Sequence, residues 1–162
     1  MKKHYSVFLG FKIKVRRKAG RWAAHSHMCD KAVENAKKKI REAVHYIQDS
    51  GSGRVQAQRI GVYNALIIGL HNYYRNASGV CLDFNKIGYD TGSTKKIRLR
   101  GLKREGKIHN RYIAENYGTS KQMRWLNGEP IIPTSYVRYR RPSSASISTH
   151  PKAEKRYIRS LA

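Results

Sequence analysis

Three metal-ligating side chains, His25, His27 and Cys29, stand at alternate positions in His25-Ser26-His27-Met28-Cys29. In a strand, that alternation sets all three on one side. Zinc also wants a fourth ligand and a supporting layer of hydrogen bonds, and the neighbouring sequence offers neither. The segment therefore reads as a strand-to-helix junction, and no metal is expected. Nucleophilic chemistry has as little support: histidines and serines are present, but no spacing orders them into a triad and G-x-S-x-G is absent. Carboxylates are few, and no two aspartates are adjacent, so a two-metal phosphoryl-transfer site has no ligands of the usual kind. Glycine patterns that cradle nucleotide phosphates are missing as well. The expectation is a chain without catalytic residues and without a cofactor.

What the chain has in excess is positive charge. Lysine and arginine number 34 against 10 aspartates and glutamates, a formal net charge of +24. Such an excess repels itself in a compact body and calls for a polyanion. Nucleic acid is the usual one, because each neutralised phosphate releases condensed counterions. With 40% hydrophobic residues in periodic runs, the chain is not a disordered basic tail. Two cysteines, Cys29 and Cys81, make no disulfide framework. Lys12, Lys14, Arg16 and Arg17 interrupt any signal-peptide core, and the longest apolar run, Ala65 to Ile68, is far too short to span a bilayer. An intracellular, cytoplasmic protein without a membrane partner is expected.

Two constellations fit nucleic acid. Lys95, Lys96, Arg98, Arg100, Lys103, Arg104 and Lys107 form a cationic run with no acid until Glu105. A solvated helix face is the ordinary fate of such a run, but the lack of acidic partners favours phosphate contact. Tyr63-Asn64 and His71-Asn72-Tyr73-Tyr74-Arg75 mix aromatics, amides and cations, the residue types that stack on and hydrogen-bond to unpaired RNA bases. Tyr63, Leu70 and Tyr74 lie at helical spacing and also read as core.

The elements that must position these groups follow from periodicity. Residues 7–16 alternate, with Leu9, Phe11, Ile13 and Val15 on one side and cations on the other, which is a half-buried strand. Arg17-Lys18-Ala19-Gly20 reads as a turn, with a return strand over Arg21–Ala24. Asp30 is the expected N-cap of a first helix whose apolar face holds Ala32, Val33, Ala36, Ile40, Ala43, Val44 and Ile47. Lys37, Lys38, Lys39 and Arg41 are assigned to its other faces, and Gly51-Ser52-Gly53 breaks it. A second helix spans Val55–Arg75. Gly61 and Gly69 inside it each cost about 1 kcal/mol relative to alanine, which predicts close approach of a neighbour there. A third apolar segment holds Val80, Leu82, Phe84, Ile87 and Tyr89, continuing into the cationic run. A short helix over Asn110–Tyr117 ends at Gly118, and Met123–Trp125, Asn127-Gly128 and Ile131-Ile132 form a hairpin, with Pro130 and Pro133 confining its second strand to an edge. From Tyr139 onward periodicity fails, leaving a basic tail with at most a weak helix at Lys152–Ser160.

Several of these segments together resemble one family, the group II intron reverse transcriptases and maturases. Phe8-Leu9-Gly10-Phe11 resembles the strand that closes the palm, and Ser26-His27-Met28-Cys29-Asp30-Lys31-Ala32 resembles the entry to the thumb, also called domain X. The most specific series is Arg59 with Tyr63-Asn64, then Gly69-Leu70-His71-Asn72-Tyr73-Tyr74, then Leu82-Asp83-Phe84-Asn85-Lys86-Ile87. Tyr117-Gly118, Leu126-Asn127-Gly128-Glu129-Pro130-Ile131 and Pro133 with Tyr136-Val137 resemble the stretch leading toward the DNA-binding region. The order is collinear through roughly Pro142.

The resemblance implies a thumb that grips intron RNA and a primer–template duplex. The family's fingers and palm, with their paired aspartates, would lie upstream, and the zinc-bearing endonuclease domain that some members carry is not expected. The chain would then be a piece of a longer protein, a decayed copy or a solitary maturase domain.

The expected architecture is mainly α: a thumb-like bundle of about three main helices, a short N-terminal β-hairpin and a small C-terminal β-hairpin. The expected division is 1–25 for the end-of-palm β element, 26–118 for the domain X helices, 119–142 for the C-terminal hairpin region and 143–162 for a basic tail. Arg59, Asn64, His71, Asn72 and Arg75 are the candidates for specific RNA contacts, and Lys95, Arg98, Arg100, Lys103 and Arg104 for phosphate contacts. The expected partners are group II intron RNA, a primer–template duplex, and the palm and fingers of a reverse transcriptase. The expected role is to assist intron folding and splicing. The rival readings are a polymerase thumb working with a palm supplied elsewhere, and a general basic duplex-binding protein.

Overall fold

A computed structural model describes residues 6–18 and 20–139; the expected tail over 143–162 and its helix at 152–160 lie outside them. The chain runs β1 (Ser6–Phe8), β2 (Phe11–Lys18), β3 (Arg21–Met28), α1 (Asp30–Gln48), α2 (Gly53–Tyr74), α3 (Val80–Arg98), α4 (Arg111–Tyr117), β4 (Arg124–Leu126) and β5 (Glu129–Ile131). It is mainly α, with one antiparallel sheet in the order β1-β2-β3 and a separate β4-β5 hairpin.

The three long helices pack around one core because each carries an apolar stripe at 3.6-residue spacing. Val33, Ala36, Ile40, Val44 and Ile47 of α1 meet Ile60, Tyr63 and Ile67 of α2 and Val80, Phe84 and Ile87 of α3, all buried. Each such side chain contributes about 1.5–3 kcal/mol on leaving water. Ser52, not Val55, marks the start of α2, its hydroxyl accepting from the Val55 N–H at 3.4 Å.

The N-terminal alternation resolves into two strands, not one. Leu9 and Gly10 have positive φ, 47° and 80°, and fold β1 back on β2 with Phe8 opposite Phe11. β2 and β3 extend into the expected turn, through Lys18 and from Arg21, and β3 continues to Met28, so their register runs from Lys18↔Arg21 to Phe11↔Met28. The sheet is fixed at its base and free at its tip. Phe11 stacks on Tyr73 and tilts against Tyr74, with ring centroids 5.6 and 5.0 Å apart. The Tyr73 hydroxyl donates to the Leu9 carbonyl at 2.9 Å. Asp83 of α3 accepts from the Met28 N–H at 2.8 Å and meets His27 Nδ1 at 3.0 Å. Ser26 and Ser78 exchange hydrogen bonds, and the Gly79 N–H donates to the Ser26 carbonyl.

Four expectations need correction. Cys29, not Asp30, occupies the N-cap of α1; Asp30 lies in the first turn and pairs with Lys12 at 2.7 Å. Lys37 does not face solvent. Its ammonium sits between Asp90 of α3 and Glu34, 2.7 Å from each, and these two carboxylates, Asp90 first, hold it protonated above its ordinary range. Gly61 and Gly69 do not permit close approach, since an added Cβ there would meet nothing within 4 Å; glycines that do include Gly79, pressed on the His27 ring, and Gly106, pressed on the Trp125 indole. Finally, α3 stops at Arg98, and the chain turns at Gly101, whose φ is +81°, so the cationic run is half helix and half loop.

Because Asp83 joins the sheet base to the bundle, Asp83→Ala should cost about 1–3 kcal/mol, the penalty of leaving a part-buried amide unpaired. Amide exchange across β2 and β3 should quicken more than in the helices. Uniform quickening, or none, would refute this account of the clamp.

Candidate nucleic-acid interface

The five RNA-contact candidates on α2 do not share a face. Arg59 lies over the Tyr46 ring, 3.9 Å from its centroid, and donates to the Tyr46 carbonyl at 2.7 Å, tying α2 to α1. Asn64 and His71 point inward and are buried. Asn64 Nδ2 donates to the Pro130 carbonyl at 2.7 Å while its Oδ1 accepts from the Ile132 N–H at 3.0 Å. His71 Nε2 lies 2.8 Å from the Thr134 carbonyl and its Nδ1 lies 3.0 Å from the Tyr117 hydroxyl. A carbonyl only accepts, so Nε2 carries the proton and Nδ1 accepts from the tyrosine. Burial pushes His71 down to about 4, with the Thr134 carbonyl opposing, and burial pushes the Tyr117 phenol up to about 12. Both side chains are buried, with their polar atoms turned to protein partners. Both are corrected from contact residues to residues that hold the 130–134 segment.

The other two candidates line a cleft. Asn72 and Arg75, at the end of α2, face Tyr112 and Asn116 of α4, with Tyr136 and Arg138 from the C-terminal segment closing the third side. Asn72 and Tyr112 exchange hydrogen bonds at 3.1 and 3.4 Å. The Thr119 hydroxyl, and then the Arg138 guanidinium, hold the Tyr136 phenol below its ordinary range. Among the described residues, no carboxylate lines this cleft.

The phosphate candidates gather where α3 ends. Lys103 exchanges backbone hydrogen bonds with Trp125 at 2.8 and 3.0 Å, and the Trp125 indole N–H donates to the Lys107 carbonyl at 3.2 Å. The loop 99–107 is thereby pinned around one buried tryptophan, and Arg100, Lys103, Arg104 and Lys107 are exposed along it. Two grooves border the same end of the helix. Lys95, Lys96 and Arg124 stand on one; Arg98 and Arg100 stand on the other with Gln48 and Gln56; Leu99 lines both. Lys95 donates to the Thr134 hydroxyl at 3.2 Å and Arg98 reaches Gln48 at 3.4 Å. Among the described residues, none of Lys95, Lys96, Arg98, Arg100, Lys103, Arg104 and Lys107 has a carboxylate within 4.0 Å.

A second cationic surface is the β2-β3 ribbon. Cross-strand pairing puts Lys12, Lys14 and Arg16 on one face with His27, His25 and Ala23. The opposite face holds Ile13, Val15 and Trp22, the last 73% exposed at the tip. The His25 and His27 rings tilt against each other with centroids 4.6 Å apart, while Cys29 lies beyond the strand at the cap of α1.

No family model, curated protein or solved structure matches the chain. Tyr112, Asn116, Arg124, Tyr136 and Arg138 enter the interface from the structure alone. They are scattered through short elements, and no period marks them.

Asn64→Ala should cost roughly 1–3 kcal/mol for each of the two backbone groups it leaves unpaired, measured by denaturant unfolding. For His71, the unfolded ring titrates near 6.5 and the folded one near 4. Its contribution is therefore present in full above 6.5 and is lost as pH falls from 6.5 toward 4, by up to about 3 kcal/mol. His71→Gln keeps one donor and one acceptor without the titration. The stability difference between wild type and this variant should shrink on acidification through that window. A difference that stays constant with pH would refute the neutral, buried imidazole.

Proposed function

We propose that this chain binds folded RNA through phosphate contacts around the end of α3 and the loop 99–107, and that its target is group II intron RNA, whose folding for splicing it assists. One observation carries the reading: seven cations with no carboxylate partner among the described residues are spread over a pinned end of the bundle. Cations in a last helical turn complement the helix dipole, which accounts for Lys95, Lys96 and Arg98 but not for Arg100, Lys103, Arg104 and Lys107. Folded RNA is gripped mainly by shape and phosphate, which suits a surface of spaced point charges. The intron as target rests on the resemblance of the sequence series through 82–87 and 126–137. The cleft of Asn72, Arg75, Tyr112 and Arg138 adds amides, phenols and guanidinium groups suited to a base edge.

A polymerase-thumb reading is favoured by a separate observation. Val7, Phe8, Val15 and Trp22 of the sheet are all more than half exposed, an apolar surface that a palm would cover. Primer extension restored on adding a palm polypeptide would establish it.

If about six to ten phosphates are engaged, affinity for the intron RNA should fall by roughly 10³–10⁵ between 50 and 200 mM salt. Replacing Lys103 and Arg104 together by glutamine should lower the salt slope by about two and leave the melting temperature unchanged, since both side chains are exposed. A salt-insensitive complex would overturn RNA binding through phosphates. Equal competition by unrelated duplex RNA would replace the intron with a general duplex target.

A further inference from the structure

We propose that the groove beside α3 receives one unpaired nucleotide of the bound RNA, its base on the groove floor and its flanking phosphates on the rim. The proposal rests on the RNA-binding reading above and adds what kind of RNA structure is selected. The groove has a volume of about 180 Å³. Its floor is apolar, made by Leu99, Leu102, Ile131 and Pro133; its rim is cationic, made by Lys95, Lys96 and Arg124; and among the described residues no carboxylate lines it.

A duplex cannot use such a floor, because its bases are stacked inside and only phosphates and sugars meet the protein. A base turned out of its stack can, since extruded bases are held between apolar or aromatic side chains and hydrogen-bonded along their edges. The edge partners are Gln122 and Ser135, which are hydrogen-bonded to each other; the Thr134 hydroxyl is buried and already meets Lys95 and Tyr63. Arg124 supplies a flat surface held in place: its Nη1 donates to the Lys121 and Met123 carbonyls at 3.1 and 2.6 Å, and the residue is half-buried. Bases stack on guanidinium planes of this kind.

The helical wall of the groove is bare. Gly88 and Gly92 lie one turn apart on α3, and each costs about 1 kcal/mol relative to alanine in a helix interior. An added Cβ at Gly88 would meet Ser135 at 3.0 Å, but at Gly92 it would meet nothing within 4 Å. Packing therefore does not require glycine at 92, and a larger side chain there would project into the groove without displacing any neighbour at its Cβ.

The test uses the whole chain and two RNA hairpins, one with a single bulged 2-aminopurine and one fully paired. Wild type should bind the bulged hairpin about tenfold more tightly, as expected for one stacked base, with a change in 2-aminopurine emission. Gly92→Leu should abolish that preference while leaving the affinity for the paired hairpin and its salt slope unchanged. Gly92→Ala, which improves helix propensity but adds only a methyl group, should keep the preference. Equal binding of both hairpins by wild type, a preference that survives Gly92→Leu, or one lost equally in Gly92→Ala would each overturn the groove assignment and leave phosphate binding standing. Failure of wild type to bind either hairpin would instead remove the RNA-binding reading itself.

Discussion

A stretch of non-helical backbone, Pro130–Thr134, lies buried against α2. Backbone amides and carbonyls removed from water must find partners, and α2 supplies them from the face that would otherwise be purely apolar. The Tyr63 hydroxyl lies 3.3 Å from the Ile132 carbonyl and from the Thr134 hydroxyl, Asn64 brackets residues 130 and 132, and His71 reaches residue 134. These polar residues lie within about two turns of one helix, beside Ile60 and Ile67. The groove along α3 uses the segment they hold as a wall.

This constraint also explains what could be read from the sequence. The helices announced themselves through 3.6-residue spacing of Ile40, Val44 and Ile47, or of Ile60, Tyr63 and Ile67, because burial of a stripe is a local pattern. Asn127-Gly128 announced the small hairpin, and both residues do have positive φ. The roles of Asn64, His71 and Lys37 were hidden because their partners are remote in sequence: His71 and Thr134 are 63 residues apart, and Lys37 on α1 meets Asp90 on α3. A clue did exist. Asn64 and His71 fall in step with Tyr63, Ile67 and Tyr74, and polar residues in a core register are usually there to satisfy something buried.

Charge divides in the same way. The few acids near the bundle are largely spent on internal ties: Asp90 and Glu34 on Lys37, Asp30 on Lys12, Asp83 on the sheet base. Among the described residues, cations without a carboxylate partner sit where backbone geometry, not helix periodicity, displays them, on the loop 99–107. A count of lysine and arginine could indicate a polyanion; only the pinning of that loop by Trp125 indicates where one would be met.

The chain has two tryptophans, and the fold gives them opposite surroundings. Trp125 is enclosed and hydrogen-bonded, whereas Trp22 stands in water at the end of the ribbon. Their fluorescence should therefore separate by wavelength and by access to quencher, so that one indole follows the integrity of the bundle and the other follows whatever covers the ribbon, without any added label.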